Sequence, residues 1–238
     1  MKWCLVVRIQ QWYVLFSAGV FFAIIILSGV FQPIVSTVEP VNKPVPIFHG
    51  NPDTPKVAFA CNVFWGEEYL PAMLNTLKEN NIKITFFIGG SWGKRFPEMV
   101  ADLGNQGHEL GNHTYSHPHP NTISKEKNKE QIVRTEELVK ELTAIKTSLY
   151  APPYGEYNDT VLAAAHELGY TTIMWSIDTI DWQRPPAEVI INRVMKKVHN
   201  GAIILIHPTE STSKALPDLI QQIKSKGYII STVSDIIK

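Results

Sequence analysis

The chain has 238 residues, 45% hydrophobic and 18% charged, so it can bury an ordinary core and is neither disordered, collagen-like nor a coiled coil. Lys and Arg number 22 against 22 Asp and Glu, and a formal net charge of zero excludes a protein whose affinity comes from neutralising a phosphate backbone. Nucleic acid is therefore not an expected partner, and two cysteines, Cys4 and Cys61, are too few for a disulfide framework or a four-cysteine zinc site.

Taken in chain order, residues 1–11 read as a cytoplasmic N-terminus carrying Lys2 and Arg8. Residues 12–31 are almost wholly apolar, and no charge appears between Arg8 and Glu39. A helix of roughly 20 such residues spans a hydrocarbon core, and the flanking charges leave the N-terminus inside. The expectation is a single-pass anchor in the cell membrane with everything after it extracytoplasmic; the alternative is a cleaved signal peptide and a secreted domain. Residues 32–54 contain Pro33, Pro40, Pro44 and Pro46 and read as a stiff, extended linker.

From residue 55 to 238 short apolar runs alternate with amphipathic stretches. Strands are expected at 56–63, 83–88, 108–111, 148–151, 170–175, 202–206 and 227–231, and helices at 67–80, 97–105, 124–143, 158–168, 186–198 and 214–226. Strict β/α alternation predicts an α/β fold with a parallel sheet covered by helices, either an incomplete barrel or an open doubly wound sheet. In both, sites gather at the C-terminal ends of strands.

The unusual residues fall at those ends. His113-Thr-Tyr-Ser-His117 spaces two imidazoles so that one helical turn would aim both at a single metal. His108 reads as a strand residue and His119 as a rim residue. Tyr150-Ala-Pro-Pro-Tyr-Gly-Glu-Tyr-Asn158 is a rigid turn in which Pro152 and Pro153 remove backbone donors. Trp175-Ser-Ile-Asp178-Thr-Ile-Asp181-Trp182 joins acids to aromatics, which suits a sugar site: ring faces stack on pyranose faces and carboxylates accept from hydroxyls. His207 ends the apolar run 202–206 and is an acid–base candidate.

In this order the motifs resemble the NodB-homology polysaccharide deacetylases, carbohydrate esterase family four, over residues 55–238. The run Cys61-Asn-Val-Phe-Trp-Gly66 is most similar to the membrane-anchored PdaB- and YlxY-like branch associated with sporulation. The resemblance implies a distorted (β/α)7-type barrel and an N-acetylated cell-wall glycan, peptidoglycan or a chitin-like oligosaccharide, as substrate. It implies a divalent metal, zinc, on His113 and His117, a backbone oxyanion N–H from Tyr154, and His207 as general acid tuned by Asp178 or Asp181. Trp182, Pro153 and Leu205 would contact substrate.

The chain departs from the family at three linked positions. Asn62 stands where the family has its base Asp, Val63 where it has the metal-binding Asp, and Ala151 where an Arg braces the base. Asn has no proton-accepting group useful near neutral pH and Val ligates nothing. The expected function is a weakened metal-dependent N-deacetylase, with Glu67, Glu68 or a metal-bound hydroxide replacing the base. The alternative is a non-catalytic glycan-binding pseudo-deacetylase of the cell envelope; a third reading makes Cys61 a ligand or nucleophile.

Overall fold

The computed structural model describes residues 43–238. The expected cytoplasmic stretch, anchor and first part of the linker lie outside them; within them no helix is long and apolar enough to cross a membrane. In chain order the described elements are β1 (Lys56–Val63), α1 (Leu70–Glu79), β2 (Thr85–Ile88), α2 (Gly90–Arg95), α3 (Pro97–Asn105), β3 (Glu109–Asn112) and α4 (Lys125–Thr143). There follow β4 (Leu149–Tyr150), α5 (Asp159–Glu167), β5 (Thr171–Thr172), β6 (Ile177–Asp178), α6 (Ala187–Met195), β7 (Ile203–Ile206), α7 (Glu210–Ser225), β8 (Ile229–Ser231) and α8 (Val233–Ile236).

The strands pair in the order β5-β4-β3-β2-β1-β7-β6, with β8 added beside β1, and every named pairing is parallel. This is a curled sheet resembling a distorted NodB-type (β/α) barrel, with one strand more than the sequence suggests. The extra strand is β6, which lies just beyond the strand expected at 170–175. Ahead of β1, Ile47 forms a parallel bridge with Ile173 and His49 an antiparallel bridge with Ala202, so this segment joins the β5 edge to the start of β7.

β1 shows why the sheet curls. Its alternating side chains split between two clusters: Val57, Phe59, Cys61 and Val63 pack outward with α1 and α7, while Ala58 and Ala60 face inward with Phe87, Leu149, Ala151 and Ile173. Small residues inside let strands close tightly, and large ones outside bind the helices, each full burial contributing about 1.5–3 kcal/mol. Side chains cap three of the helices: Ser124 accepts from Lys127 N–H at 3.2 Å, Asn158 from Val161 N–H at 3.0 Å and Thr209 from Thr212 N–H at 2.9 Å. The last of these starts α7 at Glu210, ahead of the expected residue 214.

Candidate functional site

A cleft of about 420 Å³ opens at the strand C-terminal ends, lined by Asn62, Phe64, Trp65, His113, His117, Tyr154, Trp175, Asp178, Trp182, Leu205 and His207, with Gly155 on its wall. A second groove, about 480 Å³, lies between α1 and α3 and carries none of these residues. The chemistry-bearing side chains therefore point to the smaller cavity. Two glycines make its walls possible. A Cβ on Gly66, at φ 86°, would lie 1.9 Å from the Pro208 carbonyl oxygen, and one on Gly155, at φ 67°, 2.7 Å from the Trp175 ring.

The β6–β7 wall is organised around Asp181, which is fully buried. One carboxylate oxygen accepts from His207 Nδ1 at 2.7 Å, and the other from His207 backbone N–H at 2.6 Å and from the Thr212 hydroxyl. Of the two acids the sequence offered as partner to His207, Asp181 holds the ring. Asp178 instead lines the cleft and accepts from Ile180 N–H at 2.8 Å. Ile180 and Arg184 flank the short turn that carries Asp181 and both have positive φ, 52° and 53°. A β-branched residue in that region is strained, and the Arg193 guanidinium bonding the Thr179 carbonyl and the Thr179 hydroxyl bonding the Leu205 carbonyl at 2.7 Å help hold the turn. Outside this frame, Trp65 lies parallel to the His207 ring, with centroids 5.8 Å apart.

The opposite wall comes from the ends of β1, β3 and β4. His113 and His117 do meet, with ring centroids 4.9 Å apart, but not on a helical turn. Thr114 and His117 have φ of 63° and 56°, so a tight loop brings the rings together. His113 Nδ1–H donates to the Ala151 carbonyl at 2.7 Å, leaving Nε2 as the ring's acceptor. Burial pushes the His113 pKa down to about 3 and that of His117 to about 4, and each is lowered further by neighbouring imidazoles. Both are neutral near pH 7. The Phe64 ring packs on His117 at 4.7 Å and Tyr154 meets it edge-on at 4.6 Å. Asn62 is buried, and its amide oxygen has no hydrogen-bond partner among the described residues.

The donor set does not fit the expected metal. Among the described residues no group of three or more His, Cys, Asp or Glu is placed to hold an ion. His207 also lines the cleft but its Nδ1 is held by Asp181, Val63 is turned outward into the helix-facing core, and Phe64 packs on the His117 ring, so His113 and His117 stand together without a carboxylate in their group. The expected zinc on His113 and His117 is corrected accordingly: two neutral imidazoles without a carboxylate fall short of the three protein ligands of a catalytic zinc site.

Other expectations divide. Trp182 and Leu205 line the cleft, whereas Pro153 is buried behind the turn that presents Tyr154. Glu67 does not line the cleft and accepts from the Trp92 indole N–H at 3.3 Å, so it is not poised as a substitute base. Cys61 is buried in the outer core and burial raises its thiol pKa well above the ordinary value, which makes it an inert packing residue. The contacts of Phe64 and Trp65 escaped the sequence reading, although both lie in the run that ends at Gly66; a stacked ring pair between residues 65 and 207 has no local signature.

The polysaccharide deacetylase family profile matches residues 49–173. The chain is 43% identical over 195 residues to the YlxY protein of Bacillus subtilis, covering 82% of this chain and 61% of that one. It is 37% identical over 165 residues to a peptidoglycan-N-acetylglucosamine deacetylase of Bacillus cereus, covering 67% of this chain and 60% of the relative. The chain thus spans about three fifths of the length of these two relatives. Among solved structures it is similar to a CE4-family pseudoenzyme from Bacillus anthracis, with TM-score 0.80 and 39% identity over 82% of this chain and 69% of that one. A mutant of that pseudoenzyme is described as having restored enzymatic activity, at the same TM-score, 37% identity and 82% and 72% coverage. Together with the missing metal-holding group, this likeness overturns the expected metal-dependent deacetylation and favours the non-catalytic alternative. The chain belongs to the polysaccharide deacetylase family, the NodB-homology carbohydrate esterases.

Proposed function

We propose that this protein is a non-catalytic glycan-binding member of the family, a pseudo-deacetylase that acts in the cell envelope. The observation that carries this is the composition of one cleft: Trp65, Tyr154 and Trp182 stand exposed around it, while its β1 end offers Asn62 in place of a base. Aromatic rings stack on sugar faces, and Asp178 and His113 supply acceptors for hydroxyl and amide hydrogens. Nothing in that set generates a hydroxide or accepts a proton from water at the β1 end. His207, fixed by Asp181, becomes a backing for Trp65 in place of a general acid, and Tyr154 and Leu205 shape the pocket. The ligand is an N-acetylated glycan of the peptidoglycan or chitin-like class; the Bacillus cereus relative is named for peptidoglycan N-acetylglucosamine.

The membrane-anchored placement belongs to the same proposal: residues 12–31 hold the protein in the membrane, with the cleft on the outer side. Full-length protein then stays in the membrane fraction through alkaline washing. For the cleft, calorimetric titration with N-acetylglucosamine oligomers is run beside an acetate assay on the same oligomers. Binding without acetate is expected; acetate released by purified native protein and abolished by chelation would overturn the reading.

A further inference from the structure

Among the described residues five aromatic side chains are markedly exposed: Phe48, Trp65, Tyr154, Tyr157 and Trp182. Single exposed apolar residues need no explanation, but clustering on one face does. Trp65, Tyr154 and Trp182 line the cleft. Phe48 and Tyr157 do not, yet they meet edge to face with centroids 6.3 Å apart, and Tyr157 sits in the loop that carries Tyr154. Their surroundings are continuous with the cleft wall. Ile47, next to Phe48, accepts from Met174 N–H at 2.7 Å, and the Met174 methyl lies 3.4 Å from where a Cβ on Gly155 would stand.

Both rings are held in place without being covered. Ile47 N–H donates to the Thr172 carbonyl at 2.9 Å and Gly50 N–H to Gly201 at 2.7 Å, so Phe48 is displayed between two anchored residues. Tyr157 immediately precedes Asn158, whose side chain caps α5. An exposed aromatic fixed by its backbone has little freedom left to lose on binding, which is what makes it a useful stacking platform. Glu156 is hydrogen-bonded to the His119 ring at 3.0 Å, no Lys or Arg lines the cleft, and Asp178 is the acid that does. That surface suits a neutral sugar. A cleft of about 420 Å³ takes a short oligosaccharide, so a longer strand must leave over its rim.

We propose that Phe48 and Tyr157 form an outlying sugar subsite, continuous with the cleft, that stacks on the pyranose face of a further unit of a bound N-acetylhexosamine strand. This rests on the glycan-binding reading and adds to it that a segment the sequence assigns to the linker is part of the binding surface. The test compares N-acetylglucosamine oligomers of two and six units on the full-length chain by titration calorimetry. The six-unit oligomer should bind at least about 5-fold tighter than the two-unit one, the size of one stacking contact. In the double variant Phe48→Ala/Tyr157→Ala the ratio should fall to near unity, and in Phe48→Trp/Tyr157→Trp it should return. A ratio that survives the alanine pair, or a native ratio of one, overturns the subsite while leaving the cleft intact; no binding of either oligomer overturns the glycan-binding reading itself.

Discussion

On the β6–β7 wall of the cleft the buried carboxylate of Asp181 is met by three donors, whereas on the β1–β3–β4 wall the buried amide oxygen of Asn62 is met by none. The two walls face the same cavity and belong to one sheet, so the difference lies in what the polar groups support. Asp181 ties the end of β7 to α7 and to the turn between Ile180 and Arg184. A charge there is part of the fold. The family's base and bracing Arg support chemistry and each other, and with Asn62 and Ala151 in their places no unpaired buried charge is left behind. Charges matched only by one another can be exchanged together without leaving a buried charge unpaired.

The sharpest way to break this comparison is Asp181→Ala. It strands two His207 donors and the Thr212 hydroxyl, and breaking a buried pair of this kind costs about 3–5 kcal/mol. At about 2–4 °C per kcal/mol for a chain of this size, thermal unfolding should fall by roughly 10 °C. A loss below about 1 kcal/mol in chemical denaturation would show that Asp181 does not support the fold, and the contrast between the walls would go with it.

The second effect runs on the other wall. Asn62→Asp with Ala151→Arg restores a carboxylate beside His113 and His117 and a guanidinium to orient it, while Val63 is left in the core where an acid would be buried. With zinc supplied, the double variant should gain about one ion per chain and release acetate roughly 10- to 100-fold above the native background, and His113→Ala should remove the gain. If neither ion nor acetate is gained, this wall lacks more than its charges, and Phe64 against His117 becomes the obstruction to remove.

The same wall sets an acid limit on stability. The folded pKa values of about 3 for His113 and about 4 for His117 lie below the ordinary 6.5, so between those values and 6.5 the unfolded chain binds more protons. Stability is full above pH 6.5 and falls as pH falls through that window. His113→Gln keeps a donor for the Ala151 carbonyl and removes one proton from the balance. Its stability curve between pH 6 and 4 should be flatter by up to about 1.4 kcal/mol per pH unit. An unchanged slope would mean that His113 is protonated in the folded state.

Much of this was legible beforehand because period-two alternation and strand ends leave local marks. The strand at Lys56–Val63 follows its apolar run residue for residue, and His113, Tyr154, Asp178 and His207 stand at the C-terminal ends of strands because their neighbours fix those ends. β6 escaped because it is two residues long and follows β5 within one apolar run, and α2 because Gly90 and Gly93 hide a helix that packs through its backbone. The turn at His113 needed two non-glycine residues at positive φ, which spacing cannot reveal. That Asp181 and not Asp178 holds His207 depends on where β6 ends against Leu205, a fact of register.

The smallest predicted effect separates the two uses of a buried polar group. Asn62 leaves its amide oxygen unpaired, and a buried acceptor without a partner costs about 1–3 kcal/mol, so Asn62→Leu, close to it in size, should raise stability by about 1 kcal/mol. Asp181→Ala, by contrast, destabilises, because there the partners exist. If Asn62 is kept for a ligand, the stabilised Asn62→Leu protein should bind N-acetylglucosamine oligomers about 5- to 10-fold more weakly, the worth of one hydrogen bond made only in the complex. Denaturation midpoints and titration on the same preparations decide it. Greater stability with unchanged affinity would make Asn62 a remnant of the lost base, with the grip on the glycan left to Trp65, Tyr154 and Trp182.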